Sequence, residues 1–428
     1  MKCKKLLTAV ACFVGMFASS LLWAAADEEL SLLDAIRLTL ENNPQFQTYR
    51  LRSEALDGEF DTARLKPPLR ASSEIENIVG TGDLKWFQGT ELTLVLSQLI
   101  ELGDKRGARS NVVSQRQNLL QAEQRILELE LLSETTTRYI ELAAAIEIGQ
   151  LLSRATQLAQ DLLDEVSQRV DAGRAPDAER ARAAAALART MLAEQSSAFA
   201  VEAARVRLSS LWGLLRPDFT GIEADLMTAE TLSDIERLLT QLENNPAIEV
   251  FASETRLREA ELRAARSLRE TDIEVGAGIR HLAELNDTAF LLQVNMPLKM
   301  RHRARGAITT AQANLLRVES EMQTTLLKMQ AQLLVLDQQR RSAVNEFNTL
   351  QTSVLPQLQE ALEATRIAFD GGRYSYLELS AAQQELLDAE LALIETATRA
   401  HLLRVEVERL SGETYRTTLD TFDGGNQQ

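Results

Sequence analysis

The sequence is poor in the residues that interrupt long helices or fasten small domains. Its 428 residues include only 19 Gly, 8 Pro and 2 Cys, and aromatics make up 5%. So few breakers argue against the two or three many-turned domains that a chain of this length would ordinarily form. Both cysteines, Cys3 and Cys12, lie close to the start. Once they are removed with a leader, no disulfide, no Cys-based metal site and no lipid-bearing Cys at the cleavage point remain. His281, His302 and His401 are the only histidines. None has a His or Cys partner at ligand spacing, so no metal site is read from them. Beyond residue 26 there is no run of 18 apolar residues, so any entry into a membrane must be made by strands. Basic excess is missing too: the net charge is −16, which excludes nucleic acid as a partner. There is no nucleophile with its base, no paired catalytic carboxylates and no phosphate loop, so the chain reads as neither an enzyme nor a cofactor protein.

What is present begins with a leader. Lys2, Lys4 and Lys5, the apolar stretch Leu6 to Trp23 and Ala24-Ala25-Ala26 have the layout of a secretory signal peptide over 1–26. Cleavage is expected before Asp27, the alternative being a retained membrane anchor. Next comes an internal repeat. Leu40-Glu41-Asn42-Asn43-Pro44 recurs letter for letter as Leu242-Glu243-Asn244-Asn245-Pro246, Gly173-Arg174 recurs as Gly372-Arg373, and Leu211-Trp212-Gly213 is answered by Leu410-Ser411-Gly412. The order and near-constant spacing indicate duplication: a first structural repeat over 27–213, a linker over 214–231, a second repeat over 232–412 and a flexible tail over 413–428.

Each repeat reads alike. A short amphipathic helix stops at Asn-Asn-Pro, where the residue before proline leaves the helical region. A second helix runs to about Lys66 or Leu268. The period then falls to two, as in Ile273, Val275, Ala277 and Ile279, and in Leu92, Leu94 and Leu96 set against Glu91, Thr93 and Ser97. Two strands per repeat follow: Ala71–Val79 and Thr90–Leu99, then Asp272–Arg280 and Thr288–Met296. Long helical runs come after, Lys105–Val170 and Arg303–Phe369, each on the order of 100 Å long. In the first run Val112, Leu119, Ile126 and Ile140, with Ala122, Leu129 and Ala143, mark a packing seam. Pro356 predicts a kink in the second run alone, since Gln157 takes the matching place in the first. Sharp turns, Asp171-Ala172-Gly173-Arg174 and Asp370-Gly371-Gly372-Arg373, reverse each run into a returning helix, the first opened by Pro176.

Four strands leave two edges that lipid cannot tolerate, so copies of the chain must close a barrel together. Two copies give eight strands and three give twelve, and periodicity alone does not choose. Trp86 and Phe87, between the first two strands, mark either an aromatic belt or simple loop packing. The basic run Lys299, Arg301, His302, Arg303, Arg305, echoed by Lys105, Arg106 and Arg109, falls where barrel would meet helical tube.

These residues resemble the TolC family of outer-membrane efflux channel proteins across essentially the whole mature chain. The marks are Leu30-Ser31-Leu32-Leu33-Asp34-Ala35-Ile36 ending in Glu41-Asn42-Asn43-Pro44, the strand pair in each half, and the Gly-Arg tips. Leu99 through Arg109 is similar to the heavy-metal branch, partners of cobalt, zinc and cadmium resistance pumps. The fold class is then mainly α with a four-strand contribution to a membrane β-barrel. The resemblance implies a homotrimer with a twelve-stranded barrel in outer-membrane lipid and a helical tube in the periplasm. It also implies docking onto a periplasmic adaptor and an inner-membrane pump of the resistance-nodulation-division class. A type I protein secretion or drug efflux duct is the alternative, and an elongated structural coiled coil explains the helices but not the strands. By the same resemblance Asp171, Gly173, Arg174, Gly371 and Gly372 belong to the docking tips, and Glu378, Asp370, Arg373 and Tyr374 are pore or gate candidates. Glu378 occupies the place of one acid of the family's pore ring; Ala381 stands where the second would be. Glu378 as an ordinary solvated charge, and Asp and Gly as ordinary turn residues, are the competing readings.

Overall fold

The computed structural model describes residues 29–79, 81–82, 89–228 and 234–412. The leader, Trp86 and Phe87, the end of the linker with the opening of the second repeat, and the tail lie outside the described residues.

A two-residue strand β1 (Glu29–Leu30) precedes α1 (Leu32–Asn42), which Ser31 caps by accepting from the Asp34 amide, and α2 (Pro44–Ala63). Strands β2 (Leu69–Glu76) and β3 (Glu91–Ile100) lead into α3 (Lys105–Asp171) and its returning partner α4 (Asp177–Ser209). After β4 (Gly221–Ile222), the order repeats as α5 (Ile235–Gln241), α6 (Pro246–Ser267), β5 (Ile273–Leu282), β6 (Asp287–Asn295), α7 (Met300–Thr349), α8 (Leu355–Asp370) and α9 (Tyr376–Ser411). Between α7 and α8, Leu350–Val354 winds as a π-helix just ahead of Pro356, whose missing amide cannot continue the ladder. α3 is unbroken. Pro176 proves to be the N-cap of α4 rather than its first helical residue.

The letter-for-letter Asn-Asn-Pro repeat has a physical reason beyond stopping a helix. The Asn43 carboxamide accepts from the Gln45 amide at 2.9 Å and donates to the Leu211 carbonyl at 2.8 Å. Asn245 does the same in the second half, accepting from Ala247 at 2.8 Å and donating to the Leu410 carbonyl at 2.8 Å. Each asparagine therefore caps one helix and ties it to the end of the returning helix. Asn245 is 1% exposed, so its loss would leave buried backbone groups unpaired.

α3 packs along α2, α4, α6 and α9. Its expected seam is partly covered within one chain: Ala122, Leu129, Ile140 and Ala143 are buried, while Val112, Leu119 and Ile126 are half-buried. Parallel cores hold the two halves. One joins Ala35, Tyr139, Leu142, Leu208 and Trp212, and the other joins Leu238, Leu242, Leu333, Val407 and Leu410.

The linker carries a feature that periodicity does not reveal. β4 within it pairs in parallel with β1, and the Tyr139 hydroxyl lies 2.8 Å from the Leu30 carbonyl and 2.5 Å from that of Glu223. Burial, together with the nearby Glu223 charge, pushes the Tyr139 phenol up to about 12. Farther along, His401 Nε2 meets the Leu226 carbonyl at 3.1 Å, fastening the linker to α9.

Candidate functional site

Two regions fit the sequence expectations of a conduit: the four-stranded sheet at one end and the hairpin tips at the other. The sheet runs in the order β2-β3-β5-β6, all antiparallel. Its register places Ala71, Leu96, Ala277 and Leu292 in one row and Leu94, Ile279 and Phe290 in the next, so most of the apolar residues of every strand share one face. That face is uncovered, with Phe290 91% and Leu292 87% exposed. In water such a surface would be unstable; against hydrocarbon it is the ordinary exterior of a membrane strand.

The opposite face gathers most of the polar residues beside Val95, Leu99 and Leu291, and several of them pair with one another. Arg280 reaches Glu91 at 3.2 Å, Glu76 at 3.6 Å and the Thr93 hydroxyl at 2.9 Å, and Ser97 donates to Glu274 at 2.8 Å. Gly278 is required here, because a Cβ would lie 2.2 Å from the Leu94 carbonyl oxygen. Among the described residues, the outer strands β2 and β6 have no partner on their free edges.

At the far end both tips close by one motif. Gly173 (φ 69°) and Gly372 (φ 71°) adopt the left-handed conformation that favours glycine. The amides of Arg174 and Arg373 reach back to the carbonyls of Arg169 and Ala368 at 2.8 and 2.9 Å. Gly371 has no such need, since Ala172 fills the equivalent place. Arg180 bridges Asp171 at 2.8 Å and Asp177 at 2.5 Å, closing the first turn.

The two tips are fastened to each other. Leu162, Val166 and Ala183 of the first hairpin bury Phe369, Tyr376 and Leu379 of the second. The Arg169 guanidinium lies 3.7 Å over the Phe369 ring and donates to the Phe369 carbonyl at 2.9 Å. Glu165 pairs with Arg169 at 2.9 Å and Arg366 at 2.5 Å, and Asp370 approaches both arginines at 3.5 Å. Of the sequence candidates, Asp370 thus joins an interhelix network, but its partners are Arg169 and Arg366. The side chains of Arg373 and Tyr374 are exposed and make no such contact among the described residues. Glu165, Arg169 and Arg366 were missed, although the acid-base spacing of four in Glu165/Arg169 and Arg366/Asp370 is visible in the sequence.

Glu378 lies elsewhere. It is the third residue of α9 and completes a capping box: its carboxylate accepts from the Ser375 amide at 3.0 Å and from the Ser375 hydroxyl. The Ser375 hydroxyl holds its pKa below the usual carboxylate value. In the first hairpin Pro176 stands at the N-cap with neither hydroxyl nor amide hydrogen, so Glu179 has no matching role. Glu390, in a groove of about 1080 Å³ between the hairpins, has its pKa raised by burial against the pull of Arg154. Among the described residues no three His, Asp or Glu side chains converge to hold a metal ion.

No protein-family model matches the chain. It is 26% identical over 315 residues to the cobalt-zinc-cadmium resistance protein CzcC of Cupriavidus metallidurans, covering 73% of this chain and 75% of that protein. It is 24% identical over 331 residues to the nickel-cobalt-cadmium resistance protein NccC of Alcaligenes xylosoxydans xylosoxydans, covering 77% and 73%. The crystal structure of the CmeC outer-membrane channel of Campylobacter jejuni superimposes with a TM-score of 0.70 at 16% identity, covering 89% of this chain and 85% of that one.

Proposed function

We propose that this chain, which shares the fold of the TolC-like outer-membrane channels, is the outer-membrane exit duct of a tripartite metal-efflux system. It works as a homotrimer with a periplasmic adaptor and an inner-membrane pump. The single observation that carries the duct is the sheet: its apolar face is open, its opposite face gathers most of the polar residues, and neither outer strand has an edge partner among the described residues. Hydrogen-bonding demands in lipid turn those edges into contacts between copies, and the polar face then lines a wetted bore.

The helical part supports the same assembly. α4 exposes Met191, Leu192 and Phe199, whereas α7 exposes Leu316, Leu327 and Val335. These apolar surfaces lie on different helices, α4 packed on α3 and α7 on α6 and α9. Unlike surfaces that meet head to tail generate a ring when the rotation between copies closes, as three sheets joined into one barrel require. α3, at 67 residues, spans about 100 Å and gives the tube the depth of a periplasmic passage. The duct is passive and performs no catalysis; the pump supplies the energy. Heavy-metal cations are the cargo class, supported by the likeness to CzcC and NccC. Glu378, Asp370, Arg373 and Tyr374 belong to the pore end, and Asp171, Gly173, Arg174, Gly371 and Gly372 to the surface that meets the adaptor.

Deleting the chain from its host tests this reading. Tolerance of cobalt, zinc or cadmium should fall and return when the chain is restored. Unchanged tolerance and unchanged intracellular metal would overturn the cargo assignment.

A further inference from the structure

The basic run at the base of the sheet divides in three dimensions into a paired half and an unpaired half. Lys105 is buried, its ammonium 2.7 Å from Asp272 and 2.8 Å from the Glu270 carbonyl, Arg109 is clamped by Glu101, and Arg106 between them is exposed. Lys299, Arg301, His302, Arg303 and Arg305 are exposed, and their side chains make no ion pair or hydrogen bond among the described residues. Four exposed cations with no ion-pair partner among the described residues leave this patch positive in a chain of net charge −16, open to an anion from outside it.

Their position identifies that anion. Lys299 lies directly after Met296 and Leu298, which extend the uncovered apolar face past Val294. The nine residues of β6, at about 3.3 Å each and tilted as barrel strands are, rise through roughly 25 Å, the height of the apolar band of an outer-membrane barrel. The cations therefore begin where hydrocarbon ends and phosphates lie. Charge along the strands differs between the two ends: Glu76 and Glu91 pair with Arg280 at the end away from the helical tube, whereas the tube end holds the acids Glu101 and Asp272, each paired with a base, beside the exposed bases of Lys299–Arg305.

We propose that Lys299, Arg301, Arg303 and Arg305 form a headgroup collar that binds the phosphates of anionic phospholipid in the periplasmic leaflet. The proposal rests on the outer-membrane duct reading. Lipopolysaccharide phosphates share this chemistry, but they belong to the opposite leaflet, at the other end of the strands from Lys299–Arg305. Arginine suits the role, since its planar fork matches phosphate oxygens in pairs. Closing the barrel with a copy would add Lys66, exposed and without a partner among the described residues, from the neighbouring β2 edge. The collar sets the depth of the barrel and holds the tube upright beneath it.

The test uses the full chain inserted into nanodiscs of mixed phosphatidylethanolamine and phosphatidylglycerol, then extracted, with the retained lipids counted by mass spectrometry. Juxtamembrane cations each contribute about fivefold toward anionic lipid. Wild type should retain phosphatidylglycerol at least tenfold above its bulk ratio. The combined variant Arg301→Gln, Arg303→Gln, Arg305→Gln should return to the bulk ratio, and the same three positions changed to Lys should keep most of the enrichment. Bulk-ratio retention by wild type overturns the collar, as does undiminished enrichment in the Gln variant or preferential retention of added lipopolysaccharide. Failure of wild type to insert at all would instead remove the duct reading beneath it.

Discussion

Glu378 has two roles in prospect, one as a helix cap and one as a charge in the bore. Its spacing from Gly372 matches a pore acid, yet its oxygen is occupied by the Ser375 amide and hydroxyl. Exchange to Gln separates the roles, because Gln keeps an acceptor for the cap while losing the charge. Glu378→Gln should leave protection of the Ser375 amide unchanged, whereas Glu378→Ala should weaken it, read by amide exchange. If the charge also works in the bore, Glu378→Gln should lower cation preference in planar bilayers, and unchanged selectivity would remove it from the pore. Tyr139 offers a second residue-scale test. Its folded pKa is raised to about 12, so its contribution is complete below about pH 10 and is lost as pH rises through the folded value. Trp212 packs in the same core. Its fluorescence should change between about pH 10 and 12 in wild type and not in Tyr139→Phe, which costs about 1 kcal/mol at neutral pH.

The π-helix is the clearest departure from symmetry at the scale of elements. One extra residue per turn is accommodated at Leu350–Val354, where the Thr352 hydroxyl also back-bonds to the Asn348 carbonyl at 2.6 Å. Deleting Ser353 should therefore convert the segment to α-helix while keeping the register of the flanking helices. The same deletion at Gln157 in unbroken α3 would rotate everything below it by about 100° and pull Leu162, Val166 and Arg169 out of the tip cluster. Thermal unfolding and oligomer yield should be near wild type for the first deletion and severely reduced for the second. Pro356 made a break in one helix legible from sequence, but the form of the break was not, because a kink and a π-turn answer the same missing amide. Strand existence and facing were legible from period-two patterning, and the tips from Gly-Arg repetition. β1–β4 was not, since two residues carry no period and the Tyr139 hydroxyl that meets the carbonyls of Leu30 and Glu223 comes from distant α3. The Arg169, Glu165 and Arg366 network was hidden for a similar reason: its partners are some two hundred residues apart in sequence.

For the molecule as a whole, the duplicated layout leaves each chain unfinished. One sheet with two open edges, and apolar stripes on α4 and α7, are unstable as a monomer and mutually satisfying in a ring. That is the central claim, and cysteine cross-linking tests it most directly, because the two native cysteines, Cys3 and Cys12, lie outside the strands and can be replaced. Single cysteines placed along Arg70–Glu76 of β2 and along Ala289–Asn295 of β6 in the same chain should form intermolecular disulfides in outer-membrane fractions, with a covalent trimer as the largest product. A product that stops at dimer, continues beyond trimer, or fails to form at any register would contradict a twelve-stranded barrel closed by three copies.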